Sequence, residues 1–321
     1  MALHPHLDPE LRAGVEQLPI LDFDITAVSY EDLPGQREQM HATIAPPPET
    51  EVVIENRLVP GAEGQPDVRL RIYRPAEPGQ GRPALYWIHG GGMIIGLPEQ
   101  DDAMMVGYVE RLGIVGVSVD YRLAPEHQDP AQVEDCWAGL VWVAENAAEL
   151  GVDPARLAVG GSSAGGGLAA AMALMARDKG GPDIAFQLLN SPMLDDRNIT
   201  PSSHEFTEAV VWSRADNLYG WKALLGDRAG TGEVSVYAAP ARATDLSGLP
   251  PAFVDATELE VFRDECVDYV RGLLKAGVPT EFHLYPGAFH AFDMWVPDTV
   301  LSRRSLATRE AALKRAFDQM M

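Results

Sequence analysis

Cysteine is nearly absent from this sequence of 321 residues, which contains only Cys136 and Cys266. Two cysteines cannot build a disulfide framework, and these two do not stand at the spacing of a metal-binding motif. Each lies in a stretch that predicts a helix. We therefore expect two small buried thiols.

The sequence also lacks a long apolar run and a secretory signal. The longest apolar run, near residues 168–176, is far shorter than the roughly 20 residues that cross a bilayer. The N-terminal residues lack the basic and apolar regions of a signal peptide. These absences predict a soluble, cytoplasmic protein with no membrane-spanning segment.

Positive charge is scarce. The chain has 25 Lys and Arg against 47 Asp and Glu, which gives a net charge of −22. Such a surface repels phosphate backbones and anionic lipid headgroups, so we exclude nucleic-acid binding and electrostatic membrane binding as primary functions. Solubility is the simplest explanation of the charge, and adaptation to high salt is the alternative.

Apolar residues are plentiful, at 46% of the chain, and from residue 51 they follow an alternation of strand and helix patterns. Strands are predicted at residues 51–60, 68–75, 84–89, 114–122, 157–159, 184–192, 251–256 and 280–286. Helices are predicted at residues 102–112, 130–149, 168–176, 265–275 and 302–320. The first two strands predict a hairpin, and the later alternation predicts a parallel sheet with helices on both sides.

Two stretches stand outside this alternation. Residues 1–48 predict two short helices that are too short to fold alone. Residues 195–239 contain Trp212 and Tyr219, which predict either a small local core or the lining of a pocket. We expect these two stretches to form the two parts of a cap. The remaining residues, 49–194 and 240–321, then form the catalytic domain.

A G-x-S-x-G pattern occurs at Gly161, Ser163 and Gly165, between a predicted strand and a predicted helix. In this context the pattern is typical of a strained turn that presents a serine nucleophile, and the glycines allow tight packing around it. A structural loop is the alternative. Ser163 is the candidate nucleophile, because Ser162 falls on a variable position.

A serine nucleophile needs a base, which follows it in the chain order serine, acid, histidine. Only His204, His283 and His290 follow Ser163. His204 lies in the predicted cap and His283 lies inside a predicted strand. His290 follows the last predicted strand, which is the place for a base, so His290 is the candidate.

Three glycines follow His89 at the end of a predicted strand. Such a loop lets main-chain N–H groups approach a substrate carbonyl without side chains in the way. We predict that Gly91 and Gly92 donate to the oxyanion of the reaction, together with the N–H of Ala164. A flexible glycine turn is the alternative.

With these residues in view, the chain resembles the hormone-sensitive-lipase-like group of α/β-hydrolases, the bacterial family IV esterases. The matching motifs are H-G-G-G (89–92), D-Y-R-L-A-P-E-H (120–127), G-S-S-A-G-G (161–166), L-S-G-L-P-P-A (246–252), R-D-E (263–265) and P-G-x-x-H-x-F (286–292). The resemblance implies an α/β-hydrolase fold, with a mostly parallel eight-stranded sheet flanked by helices and a helical cap.

The sequence departs from this family in two places. Ser162 stands where the family usually has Asp, which should alter only local hydrogen bonds. The family segment A-E-x-D-P-L-R-D-E reads T-E-L-E-V-F-R-D-E at residues 257–265. The resemblance therefore assigns the acid of the triad to Glu260. Asp255 and Asp264 are the rival candidates.

The resemblance implies a carboxylesterase that hydrolyses short-chain acyl esters through Ser163, Glu260, His290 and an acyl-enzyme. The expected partner is a small-molecule ester, and no metal or cofactor is expected. Met93, Trp212 and Tyr219 are candidate pocket residues, and a homodimer is a family expectation. The alternatives are an amidase or lactonase, or a small-ligand receptor like the plant gibberellin receptors, which lack the catalytic histidine.

Overall fold

The computed structural model describes residues 3–18 and 24–319. Its centre is an eight-stranded sheet in the order β1-β2-β4-β3-β5-β6-β7-β8. The strands are β1 Val53–Val59, β2 Val68–Arg74, β3 Arg82–Ile88, β4 Val115–Asp120, β5 Val152–Ser162, β6 Phe186–Asn190, β7 Ala252–Leu259 and β8 Thr280–Phe289. Strand β2 is antiparallel to β1 and β4, and the other neighbours are parallel. The mostly parallel sheet is therefore as predicted.

The central strands consist mostly of buried apolar residues, as a sheet that is covered on both faces requires. In β3, Tyr86 and Ile88 belong to one hydrophobic cluster, whereas Leu85 and Trp87 belong to the other. Successive side chains of a strand point to opposite faces. The continuous apolar run in the sequence therefore supplies both halves of the core.

Helices cover the two faces. They are α1 Pro9–Val15, α2 Leu33–His41, α3 Asp102–Leu112, α4 Ala131–Glu145, α5 Ala147–Leu150, α6 Ala164–Lys179, α7 Pro201–Glu205, α8 Arg214–Leu225, α9 Arg263–Lys275, α10 Phe292–Trp295 and α11 Val300–Asp318. Buried residues of α4, α6 and α9 join one cluster, and those of α3 and α11 join the other. Within the described ranges, no helix is both long enough and apolar enough to cross a membrane.

Most predicted elements are present, with different ends. Strand β5 begins at Val152, five residues before the predicted start, because Val152 pairs with Arg82 of β3. The helix predicted at 130–149 is divided at Asn146 into α4 and α5. The predicted end of α11 at Met320 lies outside the described residues.

Strand β8 extends three residues beyond its predicted end and reaches Phe289. After an irregularity in the register, Leu259 of β7 pairs with Phe289 of β8. The residues that follow these two partners, Glu260 and His290, therefore leave the sheet side by side. The carboxyl edge of the sheet is thus where the predicted site residues meet.

The N-terminal segment packs against the segment that follows β6. The hydroxyl of Tyr30 donates to the main-chain oxygen of Tyr219 at 2.9 Å. The hydroxyl of Tyr219 in turn donates to the main-chain oxygen of Val28, also at 2.9 Å. The centroids of the two rings lie 4.6 Å apart. These contacts join two segments that are far apart in the sequence.

Candidate active site

Ser163 lies in the sharp turn between β5 and α6, with φ 57° and ψ −120°. This positive φ is unusual for a residue with a side chain. A Cβ on Gly161 would overlap the main-chain oxygen of Gly165, and a Cβ on Gly165 would overlap that of Ile88. Both glycines of the G-x-S-x-G pattern are therefore required by close backbone packing.

The main chain of Ser163 is fixed by the loop that follows β6. Its N–H donates to Asn190 O at 2.8 Å, and its own main-chain oxygen accepts from the N–H of Met193 at 2.9 Å. The turn is therefore held from outside, as a strained backbone requires.

The side chains of Ser163, His290 and Glu260 form one hydrogen-bonded chain. Nε2 of His290 lies 2.9 Å from Oγ of Ser163, and Nδ1 of His290 lies 2.5 Å from Oε2 of Glu260. Ser163, His290 and Glu260 are 7%, 4% and 0% exposed. In this order an imidazole can take a proton from serine while the carboxylate fixes the ring orientation and stabilises its positive charge.

The second oxygen of Glu260 is also held. Oε1 accepts the main-chain N–H of Thr257 at 2.6 Å, so both carboxylate oxygens have partners. The ring of Phe262 packs edge-on against His290 with centroids 5.0 Å apart. Neither support is predictable from the sequence, because a main-chain donor and a tertiary ring contact leave no pattern in it.

In the sequence, Glu265 stands out only as part of the R-D-E motif, which predicts no role for it. Its Oε1 accepts the N–H groups of Leu194 at 2.6 Å and Asp195 at 3.3 Å, in the loop that fixes Ser163. Burial raises the pKa of Glu265 well above its ordinary value. Helix α9 thereby supports the turn that carries the serine.

The rival acid Asp255 has other partners. Its Oδ2 accepts from Nε of Arg309 at 2.6 Å, and Arg309 also pairs with Asp293. Burial raises the pKa of Asp255, although the charge of Arg309 opposes this shift. Within residues 3–18 and 24–319, Asp255 makes no hydrogen bond to His290.

The other rival, Asp264, lies in the first turn of α9. It accepts the N–H of Ser202 at 2.7 Å and pairs with Arg263 at 2.8 Å. Burial raises its pKa, but these hydrogen bonds hold the pKa of Asp264 below its ordinary value overall. Its contacts join α7 to α9 and do not involve His290.

The two other histidines after Ser163 also lie outside the hydrogen-bonded chain. His204 is exposed on α7. His283 lies inside β8, where its Nε2 is 2.7 Å from Oε1 of Glu281. The structure thus places only His290, of the three, beside Ser163.

The glycine loop after β3 lies against the turn at Ser163. Gly91, Gly92 and Met93 have φ values of 117°, 60° and 63°. A Cβ on Gly90 would lie 3.3 Å from Cβ of Ser163, so the two backbones are in contact.

In the part of the chain that the structure describes, the main-chain N–H groups of Gly91, Gly92 and Ala164 donate to no protein acceptor. These are the three N–H groups that the sequence predicts as oxyanion donors.

The side chain of His89 packs under the glycine loop, on the side of the hydrophobic core. Its ring is fully buried and stacks on Tyr121 with centroids 4.2 Å apart, and its Nδ1 lies 2.8 Å from Gly90 O. Burial lowers the pKa of His89 to about 4. A neutral ring in this position stabilises the loop and does not act on Ser163.

The candidate pocket residues take different positions. Met93 is buried within the glycine loop, the ring of Trp212 contacts Gly92, and the hydroxyl of Tyr219 bonds to Val28. A cavity of about 70 Å³ is lined by Leu259 and Phe289, the residues that precede Glu260 and His290. The other residues that line this cavity are Leu3, His4, Leu7, Phe206, Glu208, Ala209 and Val210.

A larger hollow of about 310 Å³ lies at the amino ends of β3, β4 and β5. The candidate nucleophile lies at the carboxyl end of β5, so this hollow is at the opposite edge of the sheet. Ligands of open α/β sheets bind at the carboxyl ends of the strands. The smaller cavity, by contrast, includes the last residues of β7 and β8, Leu259 and Phe289, in its lining. Among the described residues, no three His, Cys, Asp or Glu side chains group as metal ligands.

Comparisons with known proteins identify the family of this chain. A family model for the alpha/beta hydrolase fold matches residues 85–294. Carboxylesterase NlhH of Mycobacterium tuberculosis is 37% identical over 98% of this chain and 97% of its own length. A solved bacterial heroin esterase is 41% identical, covers 98% of both chains and superposes with a TM-score of 0.90. Esterase LipW of Mycobacterium marinum is 37% identical over 97% of this chain and 96% of its own, with a TM-score of 0.83. The chain belongs to the α/β-hydrolase family, in its hormone-sensitive-lipase-like group.

Proposed function

We propose that this protein is a carboxylesterase that hydrolyses short-chain acyl esters through Ser163, Glu260 and His290. The observation that carries the proposal is the hydrogen-bonded chain from Ser163 Oγ to His290 Nε2 at 2.9 Å and from His290 Nδ1 to Glu260 Oε2 at 2.5 Å. The names of the related esterases support the same reaction.

In the first half of the reaction, His290 takes the proton of Ser163 while Oγ attacks the carbonyl carbon of the ester. The negative charge that develops on the carbonyl oxygen is stabilised by the N–H groups of Gly91, Gly92 and Ala164. His290 then gives its proton to the leaving alkoxide. The C–O bond breaks, the alcohol leaves, and the acyl group stays on Ser163.

In the second half, His290 takes a proton from a water molecule, which attacks the acyl-enzyme. The same N–H groups hold the second oxyanion, and the proton returns to Ser163 as the acid leaves. The carboxylate of Glu260 stabilises the imidazolium in both halves. The side chains and main-chain N–H groups of the protein supply every proton transfer and every hydrogen bond in these steps.

Residues 1–48 and 195–239 form a cap over a catalytic domain of residues 49–194 and 240–321 in this proposal. The reciprocal hydrogen bonds of Tyr30 and Tyr219 support the union of the two cap segments. Trp212 and Tyr219 of the cap and Met93 of the catalytic domain line the substrate pocket in this proposal. The preference for short acyl chains is inferred from the resemblance to the family IV esterases.

A series of p-nitrophenyl esters from acetate to octanoate tests the proposal. The wild-type kcat/KM should be highest for the short acyl chains. Ser163→Ala should lower kcat for the acetate by at least about 10³-fold, because the nucleophile is lost. Full activity of this variant would refute the proposal.

The matched control is Ser162→Ala, the neighbouring serine, which should stay within a few-fold of wild type. Rates on the corresponding p-nitroanilide measure whether the same site also cleaves amides. Faster turnover of the anilide than of the ester would make the protein an amidase.

A further inference from the structure

The indole ring of Trp212 contacts the backbone of the glycine loop. A Cβ on Gly92 would overlap Cη2 and Cζ2 of this ring and lie 3.3 Å from Cζ3. Trp212 is only 6% exposed. Gly220 of α8 approaches from the same side, since a Cβ there would lie 3.1 Å from Gly92 O. The segment after β6 therefore packs directly against Gly92, one of the three residues whose N–H groups are assigned to the oxyanion.

The position of this ring is fixed by an unusual backbone. Val211 has φ 74°, and the N–H of Trp212 donates to Val210 O at 3.0 Å. These features define a γ-turn with a positive central φ, a rare and strained turn. A β-branched residue in this region is an outlier that persists only where its surroundings impose it. This strained turn directs the side chain of Trp212 toward Gly92.

Side-chain hydrogen bonds fix the orientation of the ring. Its Nε1 donates to Asn217 Oδ1 at 3.3 Å, and Nδ2 of Asn217 donates to Asn198 Oδ1 at 2.6 Å. Asn217 and Asn198 are each 1% exposed. Arg214 in turn donates to the main-chain oxygen of Asn198 at 2.9 Å. A buried polar network within residues 198–217 thus holds the indole plane.

The glycine loop needs such a support. Gly91, Gly92 and Met93 have three successive positive φ values, and glycine pairs have many other conformations of similar energy. Oxyanion donors are effective only when they point in advance at the place where charge develops.

We propose that Trp212 is a positioning residue, which holds the N–H of Gly92 in its oxyanion-binding direction. This inference rests on the proposed function and gives Trp212 a role beyond that of a pocket wall.

The two roles of Trp212 predict different kinetics. A pocket wall contacts the acyl or alcohol group, so its removal changes KM or the preference for chain length. A residue that aims an oxyanion donor acts on the transition state of every ester, so its removal lowers kcat by one common factor. A trifluoromethyl ketone forms an oxyanion with the nucleophilic serine, and its Ki reports the same interaction.

The experiment compares Trp212→Phe with Trp221→Phe. Trp221 belongs to α8 and is 1% exposed, and the three atoms nearest to a Cβ on Gly92 all belong to Trp212, so this control loses a similar buried volume and keeps the ring against Gly92. For Trp212→Phe we expect kcat to fall about tenfold to a hundredfold on acetate, butyrate and hexanoate alike. KM should change little, and the Ki of the ketone should rise by the same factor. Trp221→Phe should keep kcat within about twofold.

Asn217→Ala provides a second variant that keeps the ring and removes its hydrogen-bond acceptor. It should show the same pattern with a smaller loss, and it decides the question if Trp212→Phe does not fold. A loss that depends on acyl chain length, or that lies in KM alone, would overturn the inference. An unchanged kcat in both variants would do the same. Failure of the proposed function is a different result, namely a wild-type protein that neither hydrolyses the esters nor binds the ketone.

Discussion

The residue behind His290 is a glutamate, whereas the family usually has an aspartate there. The structure gives this longer side chain two partners. Oε2 lies 2.5 Å from His290 Nδ1, and Oε1 accepts the N–H of Thr257 at 2.6 Å. Glu260 is fully buried, so water cannot replace it as the hydrogen-bond acceptor of either partner. A substitution here leaves two buried donors without an acceptor of the right charge.

We therefore predict that Glu260→Gln lowers kcat for p-nitrophenyl acetate by about 10³- to 10⁴-fold at pH 7.5 with little change in KM. An amide cannot stabilise the imidazolium, and it favours the wrong tautomer of His290. Steady-state kinetics on the purified variant measure the loss.

Asp255→Asn is the matched control. Asp255 pairs with Arg309 and lies 1% exposed, so this change should lower the free energy of unfolding by about 3 kcal/mol. The kcat of the folded variant should stay within a few-fold of wild type. An inactive Asp255→Asn beside an active Glu260→Gln would transfer the role of acid to Asp255.

At the scale of elements, the strands and helices were largely predictable because the sheet is buried on both faces. Continuous apolar runs such as residues 84–88, which alternate along the chain with amphipathic helix patterns, predict strands that are buried on both faces. The ends were less predictable, because they depend on neighbours in the sheet. Val152 joins β5 only through its pairing with Arg82, and Phe289 joins β8 only through its pairing with Leu259.

The candidate site was predictable to the extent that it lies in local motifs. Ser163 follows from its flanking glycines and His290 from its place after the last strand, and their catalytic roles stay predictions until the variants are measured. The supports of the site come from distant segments. The contact of Trp212 with Gly92 is one example. No local pattern relates these two positions, so a single sequence could not predict their contact.

Helix α2 supplies another distant support through Arg37. Its guanidinium donates to the main-chain oxygens of Ile94 at 2.9 Å and Ala124 at 3.0 Å, and it pairs with Glu126 at 2.7 Å. The N–H of Ala124 donates to Met93 O at 2.9 Å. One side chain of the N-terminal segment therefore joins the loops that follow β3 and β4.

We predict that Arg37→Ala lowers the free energy of unfolding by about 1–3 kcal/mol, because two main-chain oxygens and a carboxylate lose their charged donor. The kcat/KM for p-nitrophenyl butyrate should fall about tenfold through displacement of the glycine loop. Chemical denaturation and steady-state kinetics measure the two losses.

Arg271→Ala is the control for Arg37→Ala. The Arg271 side chain is 77% exposed on α9 and, among the described residues, pairs only with Asp268 at 3.1 Å. Its removal should change the free energy of unfolding by no more than about 0.5 kcal/mol and leave kcat/KM unchanged. Equal effects of the two arginine variants would contradict a specific role for Arg37.

At the scale of the whole molecule, the dominant property is the net charge of −22. The negative potential of the molecule acts on any charged molecule that approaches it, and it is screened beyond about 10 Å at 0.1 M salt. A neutral ester does not respond to this potential. Substrates of equal size and different charge therefore separate the long-range field from the chemistry at Ser163.

We predict that salt changes kcat/KM in opposite directions for oppositely charged esters. Between 10 mM and 500 mM NaCl, kcat/KM should rise a few-fold for p-nitrophenyl hemisuccinate, whose anion the protein repels at low salt. It should fall by a similar factor for an ester of a cationic amino acid, which the protein attracts. The neutral p-nitrophenyl butyrate is the internal control and should change little. One common salt response for all three esters would show that NaCl acts on the fold or on the reaction at Ser163, and that the overall charge has no part in substrate capture.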